Sequence, residues 1–431
     1  MTKENSNSSW LTGIYLTTPV ILEQPDYVTR LRDEIGLNTV VMGFTGEMPA
    51  DVMELSPYGG KVPTEADLGA IILRHFDGRP IDPREYEQAR NLCGPGAPLN
   101  GDDETFRKAV DQLKADGLDV WTYGGAWTIR RLMFCPSNPD VRAWMEAACV
   151  HWATEYGLDA LDITHFRYPM GSFPLGLFGC TCSHCRSEAS ELGYDIDEMV
   201  EALKATREQL RRLDGKRLAD VTRLGFGFFD VVHALGLRSG LLDWWRFRQD
   251  LVVKNLKQFR GAVKATSPDT LFGTDTYPAS MAMTAGHDYL RWDQMADFAS
   301  PLVSHISAFV CNTFIEWARF LQEEILYLAE EDALQVVYRF LGYDGMGLPE
   351  TVAAYGHEDA GTLADRIPTA DLVIRDLVKA KLLLPEGVPS YPIIHGEGWG
   401  METIDRILTE MKQLGHDGVV WQGTEDILSD K

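Results

Sequence analysis

The sequence lacks an excess of basic residues, because 64 Asp and Glu outnumber 40 Lys and Arg and give a formal net charge of −24 at pH 7. Binding to nucleic acid or to anionic lipid requires a basic face, so neither is expected as a partner. The chain also lacks the roughly 18 consecutive apolar residues of a membrane span. Its polar start, MTKENSNSSW, has no apolar signal-peptide core, and we expect a cytoplasmic protein.

Nucleotide-binding motifs are missing as well, since no GxGxxG or GxxxxGK[ST] follows a strand, and no organic cofactor is expected. Short apolar strands alternate instead with segments of helical period, a pattern typical of βαβ units around a parallel sheet. The predicted strands are Trp10–Thr17, Asn38–Phe44, Asp119–Trp127, Ala160–Tyr168, Thr270–Tyr277, Phe298–Phe309, Tyr391–Glu397 and Gly418–Gln422. The predicted helices are Asp26–Ile35, Phe106–Asp116, Pro139–Tyr156 and Leu241–Thr266.

Eight strands in 431 residues predict a single (β/α)8 TIM barrel spanning residues 1–431. Long insertions at about 45–100, 170–240 and 310–388 each follow a strand, where such a barrel carries its functional loops. A doubly wound open sheet is the alternative. The sequence leaves open whether the chain forms a homo-oligomer.

Seven cysteines are too few, and their number is odd, for a disulfide scaffold in a chain of this length. Cys180, Cys182 and Cys185 lie within six residues, a spacing that favours a tetrahedral thiolate site such as zinc. The fourth ligand could be His184 or a remote cysteine, for which Cys135 is the best candidate. Three free cysteines packed as small apolar groups are the alternative. A site made only of thiolates would be structural rather than catalytic.

The stretch from Cys135 to about Met199 resembles the family-42 glycoside hydrolases, which are (β/α)8 β-galactosidases. In that family a cysteine before an N/S-P-x-x-R helix start joins a later C-x-C-x-x-C to hold zinc. Here Cys135, Asn138-Pro139-Asp140-Val141-Arg142 and the three clustered cysteines follow this layout. The fourth strand also resembles putative glycosyl hydrolases in which it ends in D-x-I-R-Y-P. The resemblance implies a barrel, a zinc site and a carbohydrate substrate.

The sequence departs from family 42 at the fourth strand, where the family carries an Asn-Glu pair with Glu as general acid/base. Thr164-His165 stands there instead, and Asp162, of the same strand parity as Thr164, is the replacement we consider. An ion pair between Asp162 and Arg167 is its structural alternative. Resemblance to retaining barrel glycosidases implies that Glu397, at the end of the seventh strand, is the nucleophile. The alternative for Glu397 is a loop carboxylate that caps the next helix.

Asp275, at the end of the fifth strand, could be the general acid or could bind a sugar hydroxyl, and its alternative is a turn cap. Aromatic and polar residues near other strand ends are candidates for substrate binding, because tryptophan faces stack on pyranose rings. They are Trp127, His165, Arg167, Tyr277, His305, Trp399 and Trp421. Alternatively, Trp421 could pack within the barrel, and His305 could be a buried histidine whose hydrogen bonds are all made within the core.

These features predict a glycoside hydrolase that cleaves a small oligosaccharide or glycoside with two carboxylates. Glu397 is the predicted nucleophile or base, and Asp162 or Asp275 is the predicted acid. One rival is a lyase, epimerase or aldolase on the same barrel that uses a histidine or a divalent metal. A second rival is a non-catalytic carbohydrate-binding barrel.

Overall fold

The computed structural model describes residues 10–43, 103–124, 128–129, 132–164, 166–168, 179–356, 364–424 and 426–428. Within them, eight parallel strands pair in the order β8-β7-β6-β3-β2-β1-β10-β9. The strands are β1 (Leu11–Leu16), β2 (Thr39–Gly43), β3 (Asp119–Tyr123), β6 (Ala160–Ile163), β7 (Leu271–Thr276), β8 (Phe298–Pro301), β9 (Ile393–His395) and β10 (Gly418–Gln422), with a separate hairpin of β4 (Thr128–Ile129) and β5 (Leu132–Met133).

The two edges of this sheet meet, because Ala299 bridges to Ser390 and Leu302 bridges to Ile393, both in parallel. The nearly closed sheet and its surrounding helices form a (β/α)8 barrel, as the alternation of elements predicts.

The helices that we label are α1 (Thr18–Glu23), α2 (Pro25–Ile35), α3 (Asp103–Ala115), α4 (Pro139–Glu155), α5 (Ser183–Glu191), α6 (Ile196–Arg212), α7 (Gly215–Gly225), α8 (Phe228–Leu235), α9 (Ser239–Thr266), α10 (Trp292–Met295), α11 (Asn312–Glu324), α12 (Glu330–Leu341), α13 (Thr369–Leu383) and α14 (Met401–Leu414).

The largest differences between predicted and observed strands lie at the ends of β6 and β8. β6 ends at Ile163, and β8 ends at Pro301, which has no N–H with which to continue a ladder. The segment Ile306–Cys311, whose first part was predicted as strand, is a π-helix that runs directly into α11. An apolar run predicts burial more firmly than it predicts backbone shape, and here it spans a strand, a turn and a helix.

Toward the amino-terminal ends of the strands, the barrel interior is filled by the side chains of every second strand residue, which point inward. Trp121 and Phe298 stack there with ring centroids 4.7 Å apart. Gly273 makes room for them, since a Cβ at this position would lie 2.3 Å from the Phe298 ring. This interior cluster consists of Val41, Trp121, Ala160, Phe298, Leu302, Ile393 and Val420. The barrel interior is therefore filled with side chains toward the amino-terminal ends of the strands. Only the end at the carboxyl termini of the strands can hold a ligand.

Helical insertions follow two of the strands. Helices α5–α8 lie between β6 and α9, and α11 and α12 follow β8. The two groups are joined by Glu324, whose buried carboxylate pairs with Arg207 at 2.7 Å and Arg211 at 2.5 Å. The predicted insertion at 45–100 lies outside the described residues. No helix in the described part of the chain is long and apolar enough to cross a bilayer.

Candidate active site and candidate metal centre

Polar side chains replace apolar ones where the inward-facing positions reach the carboxyl ends of the strands. Each of these polar side chains points to the same side of its strand as a residue of the interior cluster, or packs against one. The inward polar residues are Tyr15 on β1, Tyr123 on β3, Asp162 on β6, Asp275 on β7, Ser300 on β8, His395 on β9 and Gln422 on β10. We call this set the barrel mouth. It is the end at which barrel enzymes carry their chemistry.

Asp162 is buried at the centre of the barrel mouth, with 1% of its surface exposed. The hydroxyl of Tyr15 donates to its Oδ2 over 3.5 Å. Burial, together with the nearby charge of Asp275, holds the pKa of Asp162 well above its ordinary value. The environment therefore favours the protonated carboxylic acid. The same burial and the same two carboxyl groups raise the pKa of Tyr15.

Asp275 has the opposite environment although it lies on the neighbouring strand. Its carboxylate accepts a hydrogen bond from Thr164 Oγ1 at 3.1 Å and forms an ion pair with Arg167 at 3.2 Å. Both members of the ion pair are almost completely buried. The cation stabilises the ionised form of Asp275. The alternative pairing of Arg167 with Asp162 is wrong, since Arg167 pairs with Asp275 among the described carboxylates.

Arg167 is held in place by aromatic rings and by its own loop. Its guanidinium lies 5.2 Å from the ring centroid of Tyr277 and 4.9 Å from that of Phe309. The loop is fixed by His287, whose Nδ1 accepts from Tyr277 N at 2.9 Å while Nε2 contacts Phe166 O at 3.2 Å. Burial lowers the pKa of His287 to about 4. A neutral imidazole that donates from Nε2 fits both contacts.

Four buried atoms of the barrel mouth have no hydrogen-bond partner among the described residues. They are Oδ1 of Asp162, Oγ of Ser300, Nδ1 of His395 and Oε1 of Gln422. Burial lowers the pKa of His395, so its ring is neutral at neutral pH. Buried polar atoms are rarely left unpaired unless a ligand or water completes them. The Gln422 amide oxygen accepts hydrogen bonds and a protonated Asp162 donates one, so the missing partner carries groups that both donate and accept, such as hydroxyls.

Glu397 lies on the loop directly after β9 and is exposed. Its carboxyl group rests against Gly423, where a Cβ would lie 2.4 Å from Glu397 Cδ. The alternative role as a helix cap belongs to another residue: Asp426 Oδ2 accepts from Trp399 N at 3.0 Å and from Gly400 N at 2.9 Å, just before α14. Glu397 forms no ion pair with any described residue, and its side chain remains available to a substrate.

The residues predicted to bind substrate fall into three groups. Trp127 and His165 lie outside the described residues. Tyr277, His305 and Trp399 border the barrel mouth. The Tyr277 ring contacts the Arg167 guanidinium, and the ring centroids of His305 and Trp399 lie 5.7 Å and 5.4 Å from that of His395. Trp421 faces away from the barrel interior, because its neighbour Val420 belongs to the interior cluster and Trp421 to the outer core.

The four predicted metal ligands come together in a compact cluster. The sulfur of Cys135 lies 3.7 Å from that of Cys182 and 3.6 Å from that of Cys185, and Cys182 and Cys185 are 3.7 Å apart. Together with Cys180, all four sulfurs lie within 4.8 Å of one another. Zinc bound to four sulfurs at about 2.3 Å places them about 3.8 Å apart. The four residues therefore fit a tetrahedral ion.

Local structure explains how distant cysteines meet. Cys135 precedes α4, whose start is fixed by Pro139 and by Asn138, which accepts from Asp140 N at 2.9 Å. Cys182 and Cys185 lie at the start of α5, and Glu188 on that helix joins Arg142 of α4 and Lys254 of α9. The cluster therefore ties the loop after β3 to the loop after β6.

Several residues of the barrel mouth were missed by the sequence. Tyr15, Gln422 and His395 carry no motif, because their roles depend on which side of the strand they face, on strands that lie far apart in the chain. His287, which lies on a loop outside the barrel mouth, carries none either. Parity alone would have indicated Tyr15 and Gln422, since each is the last or next-to-last inward position of a predicted strand. Nothing in the sequence indicates that His287 joins two loops.

No protein-family model and no curated protein sequence matches this chain. Among solved structures, it is similar to the β-galactosidase from the Antarctic haloarchaeon Halorubrum lacusprofundi (13% identity, 97% of this chain, 54% of that chain, TM-score 0.47). It is also similar to the maltogenic α-amylase AmyB from Thermotoga neapolitana (12% identity, 98% of this chain, 69% of that chain, TM-score 0.38). A third similar structure is the GH42 β-galactosidase Gan42B from G. stearothermophilus (12% identity, 99% of this chain, 74% of that chain, TM-score 0.37). The chain thus spans about half the length of the Halorubrum enzyme, and its fold rests on its own strand order.

Proposed function

We propose that this chain is a glycoside hydrolase that acts on a small oligosaccharide or glycoside at the barrel mouth. The observation that supports it most is the combination of unpaired buried polar atoms with two carboxyl groups in opposite environments. A sugar hydroxyl can donate to Gln422 and accept from the protonated carboxyl of Asp162. Pairs of carboxyl groups whose protonation differs are the usual means of acid-assisted glycosidic cleavage.

Asp162 is the proposed general acid. Its burial beside Asp275 keeps the proton that must be given to the glycosidic oxygen as the leaving group departs. Asp275 is less suited to this role, because Arg167 and Thr164 occupy its oxygens and stabilise its charge. We assign Asp275 to electrostatic support of the developing positive charge on the sugar ring.

Glu397 is the proposed nucleophile or base. It follows β9, which lies three positions from β6 around the closed sheet, so the two carboxyl groups approach the barrel mouth from different sides. Its exposed and unpaired carboxylate can attack the anomeric carbon or activate a water molecule. Trp399, two residues later, offers a ring face beside His395 for an apolar sugar face.

The test is a screen of the purified full-length chain against 4-nitrophenyl glycosides. Asp162→Asn and Glu397→Gln should each lower turnover of the accepted glycoside by about 10²- to 10⁴-fold. Glu402→Gln, an exposed carboxylate in the first turn of α14, is the matched control and should leave turnover unchanged. Unchanged turnover in Glu397→Gln would remove the role given to Glu397, and binding without cleavage of any glycoside would favour a binding barrel.

One observation favours a second function, a sugar-directed lyase or epimerase. The neutral ring of His395 has an unpaired Nδ1 in the barrel mouth, which suits a general base. In that case His395→Gln would abolish turnover while Glu397→Gln would retain it. Solvent-deuterium exchange into the unreacted sugar would distinguish proton abstraction from hydrolysis.

We further propose that Cys135, Cys180, Cys182 and Cys185 hold a structural zinc ion. The donor set consists of thiolates alone, which leaves no open position for a substrate. Its chemistry is to fix the loops after β3 and β6 relative to each other, and the second of these loops carries Arg167. The metal itself takes no part in the proposed cleavage.

A further inference from the structure

A buried arginine on α9 lies in the region of the cysteine cluster. Arg248 has 0% of its surface exposed to solvent. Its guanidinium carbon lies 3.6 Å from the ring centroid of Tyr168 and 5.7 Å from that of Trp244. Arginine is almost never fully buried unless another group compensates its charge, because the cation is costly to desolvate. The neighbours of Arg248 therefore indicate what this cation is for.

Helix α9 packs against the loop that carries the first ligand of the cluster. Asn255, which is also fully buried, donates from Nδ2 to Pro136 O over 3.0 Å, directly after Cys135 in the chain. Arg248 and Asn255 are seven residues, or about two helical turns, apart. Residues at this spacing lie on one face of a helix, so Arg248 is on the face of α9 that meets the cluster.

The ring of Tyr168 contacts the arginine and lies close to the sulfur atoms. Burial raises the pKa of the Tyr168 hydroxyl well above its ordinary value, and Arg248 acts in the opposite direction. Three cysteines of the cluster add to the rise, namely Cys185, Cys135 and Cys180. Electrostatic interaction falls with distance. Tyr168 is therefore near both the cation and the cluster.

Arg248 keeps its positive charge in this buried position. Burial lowers its pKa to about 10, while Tyr168 and Cys185 raise it. The guanidinium is therefore protonated at neutral pH. Its charge acts on Cys185, which is one of the four proposed metal ligands.

The proposed metal centre needs such a charge. One divalent ion completes the coordination of four thiolates, but the complex keeps two negative charges in excess. A buried anion is unfavourable unless a cation lies nearby. Two further cations of this region, Arg142 and Lys254, already pair with the carboxylate of Glu188 at 2.5 Å and 2.6 Å.

We propose that Arg248 is the buried counter-cation of the cysteine metal centre, and that the ring of Tyr168 holds its guanidinium in place. The inference rests on the proposed zinc site and adds to it a residue outside the ligand set. The arginine and the anionic centre each lower the desolvation cost of the other. Tyr168 directly follows Arg167 in the chain, so one dipeptide joins the metal centre to the ion pair with Asp275.

The test measures metal affinity and the electronic state of the sulfurs in the full-length chain. Zinc affinity is obtained by competition between the zinc-loaded chain and a chromophoric chelator. Arg248→Met removes the charge and should weaken zinc binding by about 10- to 100-fold. In the Co²⁺-substituted chain, the thiolate-to-cobalt charge-transfer band should move to longer wavelength, because the cation no longer stabilises the sulfur electrons.

Two further variants separate charge from packing. Arg248→Lys keeps the positive charge, and should retain most of the affinity and the position of the band. Arg246→Met removes an exposed cation from the same helix, and as the matched control should change neither quantity. If Arg248→Met does not yield folded protein, Arg248→Gln replaces it as the neutral variant, with the same expected losses.

The inference and the zinc proposal fail in different ways. Unchanged zinc affinity in a neutral variant would overturn the role of Arg248 while leaving the metal centre in place. Equal losses in Arg248→Lys and Arg248→Met, without a band shift in either, would show that the side chain acts through its shape. A wild-type chain that takes up neither Zn²⁺ nor Co²⁺ would remove the metal centre, and the role of Arg248 with it.

Discussion

Strand β6 and the loop after it connect the barrel mouth to the cysteine cluster, since β6 carries Asp162 and its loop carries three of the cysteines. The cluster gathers four identical side chains, and three of them occur within six residues of the sequence. The barrel mouth gathers different side chains from strands up to 400 residues apart. Both regions bury groups that are costly to desolvate. A single cation can satisfy the whole cluster, whereas the barrel mouth satisfies one carboxylate internally and leaves other atoms for a ligand.

This difference separates a closed site from an open one. Four thiolates around one ion leave nothing unpaired, which suits a structural role. In the barrel mouth, Arg167 compensates the charge of Asp275, burial raises the pKa of Asp162, and atoms of Ser300, Gln422 and His395 have no partner among the described residues. Changes in the cluster should therefore act mainly on stability. A change in the barrel mouth, such as Asp162→Asn, can raise stability while it lowers turnover.

The largest effect on stability is expected from the cluster. Cys185→Ala should abolish binding of the proposed zinc ion and lower the free energy of unfolding by about 4 kcal/mol or more, since such an ion would tie two loops together. Metal analysis and urea unfolding measure both quantities. Cys149→Ala is the matched control, because Cys149 is equally buried but lies outside the cluster. A wild-type chain that contains no metal and whose thiols all titrate freely would contradict the zinc assignment.

The buried ion pair should give the next effect. Arg167→Met leaves the Asp275 carboxylate buried without its cation and should cost about 3–5 kcal/mol of stability. The double variant Arg167→Met/Asp275→Asn should recover much of this loss, because it removes the uncompensated charge. Arg246→Met, at an exposed position on α9, should be nearly neutral. Equal losses in the single and double variants would show that Arg167 acts through packing alone.

Replacing Asp162 with Asn should raise the stability of the protein, whereas the preceding substitutions lower it. Its pKa in the folded protein is raised, so the unfolded chain releases this proton first as the pH rises above about 4. The wild type therefore loses stability from about pH 4 upward, until the pH passes the folded pKa. Asp162→Asn should be more stable at pH 7, by about 1–2 kcal/mol, although we expect its turnover to fall.

Thermal unfolding between pH 4 and pH 8 checks the Asp162 prediction. The stability advantage of Asp162→Asn should shrink toward pH 4, whereas Asp33→Asn, on an exposed face of α2, should show no such trend. An advantage that grows at low pH would mean that the folded state favours the carboxylate. Asp162 would then be unsuited to act as the acid.

The smallest effect should come from Thr164, which donates one hydrogen bond to Asp275. Thr164→Val keeps the side-chain shape and should cost about 1 kcal/mol, with a modest fall in turnover. Thr164→Ser retains the hydroxyl and is expected to restore most of the loss. A Thr164→Val variant as impaired as Arg167→Met would show that the hydroxyl, rather than the ion pair, positions Asp275.

Much of the barrel could be predicted because parallel strands buried on both faces produce short apolar runs between helices. Each predicted strand contains an observed one, but the ends at Ile163 and Pro301 could not be placed. Apolar residues continue past both points, where the chain turns while remaining buried. Hydrophobicity reports burial, whereas the end of a strand depends on which backbone groups find a partner.

The candidate site was predictable only where the signal is local. The cysteine spacing indicated three ligands directly, and a resemblance supplied the fourth. Arg167 was indicated as a candidate for sugar binding, yet its partner is Asp275, which lies 108 residues further along the chain. Trp421 appeared at a strand end, but a shift of one residue decides whether a strand side chain faces the barrel interior or the helices.

The sequence by itself determined the alternation of strands and helices, the acidic surface and the grouping of thiols, because each depends on residues close together in the chain. The tertiary structure decided which carboxyl group lies beside a cation and which described atoms of the barrel mouth lack a partner. Both depend on closure of the barrel, which brings β6, β7, β9 and β10 around one space. Only there does burial beside Asp275 raise the pKa of Asp162, while Arg167 compensates the charge of Asp275.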